Sequence, residues 1–348
     1  MKQMQGLDAA FAALERPNAP LHIGSIIIYD PSTAPNGFVR FKDILNFVEG
    51  RLPLAKMMRQ RIVRVPFGID HPYWIEDPDF DLEYHVRHVA LPKPGDWRQL
   101  CIQAARLFAR PLDLSKPPWE FTVVEGLDNV DGVPPGSYAM LTKVHHAAID
   151  GVSGIEVMQA LNTLTPEVST PNTQEVWEPD KVPGQVGLFA KGYIRAWTNP
   201  VRQLGALRNT VPGLFRASKG IARKEFDFNA MMKAPRTRFN GTASPHRTID
   251  ACVFPLENIK KLRALSEGCK VNDVVLAIVG GALRKYLESK SELPATSLVA
   301  MAPISVRDES EKGAMGNQVS AMFPPLGTHL GGAAERLRFV HGETTKSK

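Results

Sequence analysis

The sequence is poor in cysteine, with three residues in a chain of 348, at positions 101, 252 and 269. They are odd in number, widely spaced and without a Cys-x-x-Cys pattern. This arrangement argues against a disulfide framework and against a zinc site. We therefore expect no bound metal and a reducing, cytoplasmic setting.

Long apolar runs are also missing. The best candidate, Val274 to Leu283, is much shorter than the ~18 uncharged residues that a membrane-spanning helix needs. Residues Met1 to Asp8 contain no apolar stretch of signal-peptide length. These absences predict a soluble protein, or a peripheral one at the inner face of a membrane or on lipid bodies.

The positive charge is unevenly distributed. The net charge is +6, yet residues 184–240 contain eleven Lys/Arg against two acidic residues, so this segment carries +9 and the remainder −3. Apolar residues alternate with these cations, which is typical of amphipathic helices on an anionic membrane surface. Solvated connecting helices would give the same pattern. We expect no nucleic acid partner, because no binding motif is present.

The periodicity of the apolar residues predicts a mixed α and β protein. Helices are expected at residues 7–15, 38–52, 97–108, 256–266 and 270–287, the last of them apolar nearly all round and hence buried. Strands are expected at residues 23–29, 73–76, 80–91, 121–125, 137–144, 247–256 and 298–306. Three prolines before Trp119 predict a rigid connection that this ring anchors to the core.

The most informative stretch is Lys143–Gly154, which contains His-His-Ala-Ala-Ile-Asp-Gly at the end of a predicted strand. Adjacent strand side chains point to opposite faces, so His145 and His146 cannot share one pocket. An imidazole is well matched to proton transfer near neutral pH. Asp150 can orient the turn, and Gly151 leaves room beside the histidine. The same sequence pattern would also arise from two histidines buried in the core, or from metal ligands at His146 and Asp150.

This string resembles the active-site motif of the coenzyme A-dependent acyltransferase superfamily. Other segments resemble one branch, the bacterial wax ester synthase/diacylglycerol acyltransferases: the opening Leu7–Gly24, the Pro-Leu-Asp-x-Ser segment before Trp119, the pair Asn272-Asp273 and the pair Gly316-Asn317. The second-half matches distinguish this branch from the condensation domains of peptide synthetases.

The resemblance implies an α/β (α+β) chloramphenicol acetyltransferase-like fold of two lobes. It predicts a first lobe at 1–165, a linker with basic crossover helices at 166–240, and a partial second lobe at 241–348. Family members continue for roughly another hundred residues, so the second lobe is expected to be incomplete.

The resemblance also implies an activity. His146 would be the general base for transfer of a long-chain acyl group from acyl-CoA, a co-substrate, to diacylglycerol or a long-chain alcohol. His145, Asp150 and Gly151 would support the site. Asn272 and Asp273 would bind the acyl-CoA co-substrate, and Asn272 is a candidate hydrogen-bond donor to the oxyanion. No resident cofactor is expected.

Two alternatives stay open from the sequence. The first is a condensation-type transferase that uses carrier-protein thioesters. The second is an inactive protein that binds lipid surfaces through its basic segment.

Overall fold

The structure is a computed structural model that describes residues 1–4, 6–149, 161–163, 179–198, 234–305 and 319–346. The chain forms two compact units. Unit 1 comprises Met1–Thr198 and Ala243–Asp250, and unit 2 comprises Asn199–Thr242 and Ala251–Lys348. The predicted lobe boundaries stay a prediction, since most of the predicted linker lies outside the described residues.

Unit 1 contains seven of the described strands and five of the described α-helices. Its strands are β1 (Lys2–Gln3), β2 (His22–Tyr29), β3 (Gln60–Val63), β4 (Tyr73–Glu76), β5 (Val86–Ala90), β6 (Trp119–Glu125) and β7 (Tyr138–His145). Its helices are α1 (Gly6–Leu14), α2 (Phe41–Glu49), α3 (Leu82–His85), α4 (Trp97–Phe108) and α5 (Gln185–Thr198). The main sheet has the order β2-β7-β6-β5, in which only the β5–β6 pair is parallel.

Both faces of the main sheet are covered, so its central strands β6 and β7 are mostly apolar. On one face Val123, Met140 and Val144 pack with Ile44 and Val48 of α2. On the other face Val124, Ala139 and Leu141 pack with Leu100 and Ala104 of α4. This alternation fixes the register of β7 and therefore the position of the residues at its end.

The Trp119 ring anchors the preceding proline-rich connection, as predicted. The side chain is 1% exposed, and its indole N–H donates to the carbonyl of Met58 at 2.7 Å. A buried indole needs such an acceptor. His85 stacks on the same ring, with centroids 4.6 Å apart.

A second, smaller sheet of order β1-β4-β3 supports α5. Leu188 of α5 is fully buried against Val63, Val65, Tyr73 and Ile75.

Unit 2 contains α6 (Leu256–Arg263), α7 (Val271–Ser289), α8 (Ala333–Lys346) and the antiparallel pair β8 (Ala302–Ser305) and β9 (Val319–Met322). Its largest apolar cluster joins the three helices through Ile259, Val274, Ala277, Leu337 and Val340. Within the described helices of the chain, none combines the length and apolar character that crossing a membrane requires.

One predicted element is wrong, and two others are wrong in part. Residues 82–85 form a helical turn before β5, because the Asp81 carboxylate caps the amide of Glu83. Residues 247–255 have no strand structure, and no described strand pairs with them. Helix α7 is not buried all round: one stripe, Val271, Val275 and Val279, is more than 40% exposed.

Candidate active site

The end of β7 positions the two histidines differently. His145 is the last residue of the strand and pairs with His22 of β2. The His145 amide donates to the carbonyl of Pro118, and the His146 amide donates to that of Leu21, both at 2.9 Å. The chain then turns, with the Ala148 amide bonded to the His145 carbonyl. The two rings consequently enter different surroundings, as strand alternation predicts.

The His145 ring is completely buried and held in one tautomer. Its Nδ1 accepts from the Ala147 amide at 3.0 Å, so the ring proton is on Nε2, which lies 3.7 Å from a carboxylate oxygen of Glu15. Burial, with added effects of His146 and His22, lowers the pKa of His145 to about 4. The ring is thus buried and hydrogen-bonded within its own turn, and its supporting role in the site stays a prediction.

The His146 ring is half-buried and lies against Phe11 of α1, with centroids 5.1 Å apart and an interplanar angle of 21°. Burial lowers its pKa, so the imidazole is neutral at neutral pH. No residue within the described ranges hydrogen-bonds its ring nitrogens. A neutral imidazole with an available nitrogen can accept a proton.

Sequence reasoning did not identify Phe11 and Glu15 as part of this site. Both are on or just after α1, far from the histidines in sequence. The Glu15 carboxylate also accepts from the Leu21 amide at 3.4 Å, and burial raises its pKa. The only signal was their position in the opening segment that resembles the family.

A cleft of about 760 Å³ borders the same helix. It is lined by Ala9, Ala10 and Ala13 of α1, by Arg64 and Val65, and by residues 67–72. At 100° per residue, Phe11 leaves α1 on a different side from these alanines. His146 is not among the described residues that line this cleft.

The other predicted residues are placed unequally. Asp150 and Gly151 lie outside the described residues, so their roles stay predictions. Asn272 and Asp273 belong to unit 2, whereas the histidines belong to unit 1. Asn272 is exposed in the first turn of α7, and its role towards substrate stays a prediction.

The Asp273 carboxylate is 1% exposed and already bonded. It accepts from the Lys270 amide at 2.9 Å, the His341 ring at 2.9 Å and the Thr344 hydroxyl at 2.8 Å. Burial would raise its pKa, but these hydrogen bonds outweigh burial and lower it. Asp273 thus ties the start of α7 to α8.

One group in the described part of the chain has the donor atoms of a metal site. The ligand atoms of Cys269, Asp273 and His341 lie within 4.8 Å of one another. However, the His341 ring is hydrogen-bonded to Asp273 on one side and to the Glu267 carbonyl on the other. Ordinary hydrogen bonds therefore account for this cluster.

Solved structures define the class of fold. The chain aligns over its whole length with 72% of the wax ester synthase/diacylglycerol acyltransferase from Marinobacter aquaeolei VT8, at 24% identity and a TM-score of 0.63. It also aligns, over 99% of its length, with 73% of the first condensation domain of the calcium-dependent antibiotic synthetase, at 14% identity and a TM-score of 0.54. The predicted fold class, a chloramphenicol acetyltransferase-like α/β fold, is confirmed.

Sequence comparison gives the family. Residues 4–275 match the wax ester synthase/diacylglycerol acyltransferase catalytic domain. Two candidate diacylglycerol O-acyltransferases of Mycobacterium tuberculosis are 32% and 34% identical over 350 and 351 residues. These alignments cover 100% and 99% of this chain but 67% and 73% of the relatives. The chain belongs to the wax ester synthase/diacylglycerol acyltransferase family and is an acyltransferase.

Proposed function

We propose that this protein transfers a long-chain acyl group from acyl-CoA to the hydroxyl of diacylglycerol or of a long-chain alcohol, with His146 as the general base. The observation that supports this most is the neutral, half-buried imidazole of His146, whose nitrogens have no hydrogen-bond partner among the described residues. The names of the family and of its relatives support the choice of substrates.

In the proposed reaction the acceptor hydroxyl donates its proton to His146 while its oxygen attacks the thioester carbonyl carbon. The resulting tetrahedral oxyanion needs hydrogen-bond donors, for which Asn272 is the candidate. Collapse breaks the carbon–sulfur bond, and the CoA thiolate takes the proton from the imidazolium. The products are an ester and CoA, with no covalent enzyme intermediate.

The test is an ester-formation assay with palmitoyl-CoA and either diacylglycerol or hexadecanol. We expect His146→Ala to reduce kcat by about 10²–10⁴-fold, the usual contribution of a positioned general base. His246→Ala is the matched control, because His246 is exposed and remains in the same unit. Full turnover by His146→Ala would refute the assignment.

The same assay separates the alternatives. A condensation-type transferase would turn over an acyl group on a carrier protein but not free acyl-CoA. An inactive lipid-binding protein would form no ester with either donor while still binding vesicles. We further propose peripheral contact with an anionic membrane or a lipid droplet, supported by the positive charge of residues 184–240.

A further inference from the structure

Helix α1 contacts both rings of the histidine pair. Phe11 and Glu15, the residue just after the helix, are four positions apart and therefore share one face. Phe11 stacks on the His146 ring, with centroids 5.1 Å apart, whereas Oε2 of Glu15 lies 3.7 Å from Nε2 of His145. The two rings enter different surroundings, but the same face of α1 meets both.

The Glu15 carboxylate also reaches the backbone of His146 through a single residue. Its Oε1 accepts from the Leu21 amide at 3.4 Å, and the Leu21 carbonyl accepts from the His146 amide at 2.9 Å. Leu21 is therefore held between the carboxylate and the turn that carries His146. A displacement of the Glu15 side chain would affect both histidines.

The proton of the His145 ring gives this carboxylate a specific task. Because Nδ1 of His145 accepts from the Ala147 amide, the ring proton is on Nε2. Nε2 is buried and has no hydrogen-bond partner among the described residues, and it faces Glu15. A buried N–H group needs an acceptor nearby. An ionised carboxylate only accepts, so it suits both this proton and the Leu21 amide.

Stability of the fold does not explain a carboxylate at this position. The Glu15 side chain is 12% exposed, and no lysine or arginine of the described residues forms an ion pair with it. Burial raises the pKa of Glu15, and the surrounding cations only partly offset burial. A buried charge without a cationic partner destabilises the folded state. Groups of this kind are concentrated at functional sites.

We propose that Glu15 is a positioning residue for acyl transfer. Its carboxylate fixes the His145 ring through the Nε2 proton and the His146 backbone through Leu21, so that the His146 ring is held towards the acceptor hydroxyl. Glu15 itself touches no reacting atom. The inference rests on the proposed function, because the role requires His146 to be the base.

The test variant is Glu15→Gln, which keeps the size of the side chain. If the carboxamide oxygen accepts from the Leu21 amide, its NH₂ group faces the Nε2 proton of His145, a donor against a donor. Glu15→Asp keeps the carboxylate on a shorter side chain. The matched control is Glu49→Gln, because Glu49 is exposed at the end of α2 in the same unit.

We expect Glu15→Gln to lower kcat for ester formation by about 10–10²-fold, with KM unchanged, because the base is less well positioned. Glu15→Asp should recover part of the loss, and Glu49→Gln should behave as the wild type. The melting temperature of Glu15→Gln should be equal or higher, since the variant removes a buried charge. A residue with a merely structural role would lower the melting temperature instead.

A second measurement needs no turnover. The ¹⁵N spectrum of a neutral histidine ring shows which nitrogen carries the proton. The wild-type ring of His145, assigned through its contact with the Ala147 amide, should be protonated on Nε2 alone. Glu15→Gln should shift these resonances or add a second form, and Glu49→Gln should not. The spectra therefore test the contact between Glu15 and His145 by itself.

Three results would overturn the inference. They are a wild-type kcat in Glu15→Gln, a fall in kcat that is accompanied by a fall in melting temperature, and His145 resonances that are the same in Glu15→Gln and the wild type. Full turnover by His146→Ala would instead refute the proposed function, and it would leave the expected spectra unchanged. The two failures are therefore distinguishable.

Discussion

The two family motifs of this chain use their polar side chains in opposite ways. At the end of β7, His146 keeps an available ring nitrogen beside Phe11. At the start of α7, the Asp273 carboxylate is committed to Lys270, His341 and Thr344. Resemblance identifies both motifs, but it does not distinguish a group that can react from one that holds two helices together. The hydrogen-bond partners make this distinction.

The sharpest contrast is within the histidine pair. His146→Ala should lower kcat for ester formation by about 10²–10⁴-fold, with little change in melting temperature. His145→Ala should instead lower stability, because it removes a fully buried ring that accepts from the Ala147 amide. Measuring kcat and melting temperature for both variants checks this. A stable His145→Ala with the activity loss of His146→Ala would contradict the division of roles.

The pair Asn272-Asp273 offers the same contrast in unit 2. Asp273→Ala should cost about 1–3 kcal/mol of stability, because it leaves the Lys270 amide and the Thr344 hydroxyl without their acceptor. Denaturant unfolding measures this. Asn272→Ala should change stability by less than about 0.5 kcal/mol, because the residue is exposed.

If Asn272 donates to the oxyanion, Asn272→Ala should lower kcat by about 10²–10³-fold. The opposite outcome, a stable Asp273→Ala beside an unstable Asn272→Ala, would reverse the reading of the motif.

A smaller effect is expected at Phe11. Phe11→Leu keeps an apolar side chain but removes the ring that stacks on His146. A less well-positioned base should lower kcat by about tenfold, with KM little changed. Steady-state kinetics tests this, and Phe41→Leu is the control, because Phe41 stacks instead on His88. Equal effects of the two substitutions would mean that the stacking on His146 has no special role.

Acid should destabilise unit 1 through its buried histidines. Burial is the largest cause that lowers the pKa of His22 and of His145 to about 4, below the ordinary value of 6.5. As the pH falls, the unfolded chain therefore binds protons on these histidines before the folded chain does. Their contribution to the free energy of unfolding is fully present above pH 6.5 and declines as the pH falls towards 4. Unfolding curves across this interval test the decline. His22→Gln should make it shallower, and an unchanged slope would contradict the cause.

Local patterns predicted most of the elements of unit 1. Helix α4 begins at Trp97 and ends at Phe108 as expected, because Asp96 caps it and its apolar residues repeat at helical spacing. The strand before the histidines was equally clear. The segment at 80–91 shows the limit: residues 86–90 form the predicted strand, whereas residues 82–85 form a helical turn in which the Glu83 amide donates to Asp81.

Long-range contacts explain what the sequence did not reveal. The partners of Asp273 in α8 are about 70 residues away, and α1 meets His146 from the other end of unit 1. The solvent exposure of Phe67 could not be predicted from the sequence either, because a single aromatic residue among apolar neighbours is usually buried in the core. Such contacts depend on the packing of whole elements and not on local spacing.

The most direct test of the account is the pH dependence of kcat/KM for the wild type beside His146→Gln. Because burial lowers the pKa of His146 from its ordinary 6.5, the wild-type rate should fall on the acid side with a midpoint below pH 6.5. The Gln variant should retain only a small, pH-independent rate. A wild-type profile that stays flat through this range, or a Gln variant that matches the wild type, would contradict His146 as the base.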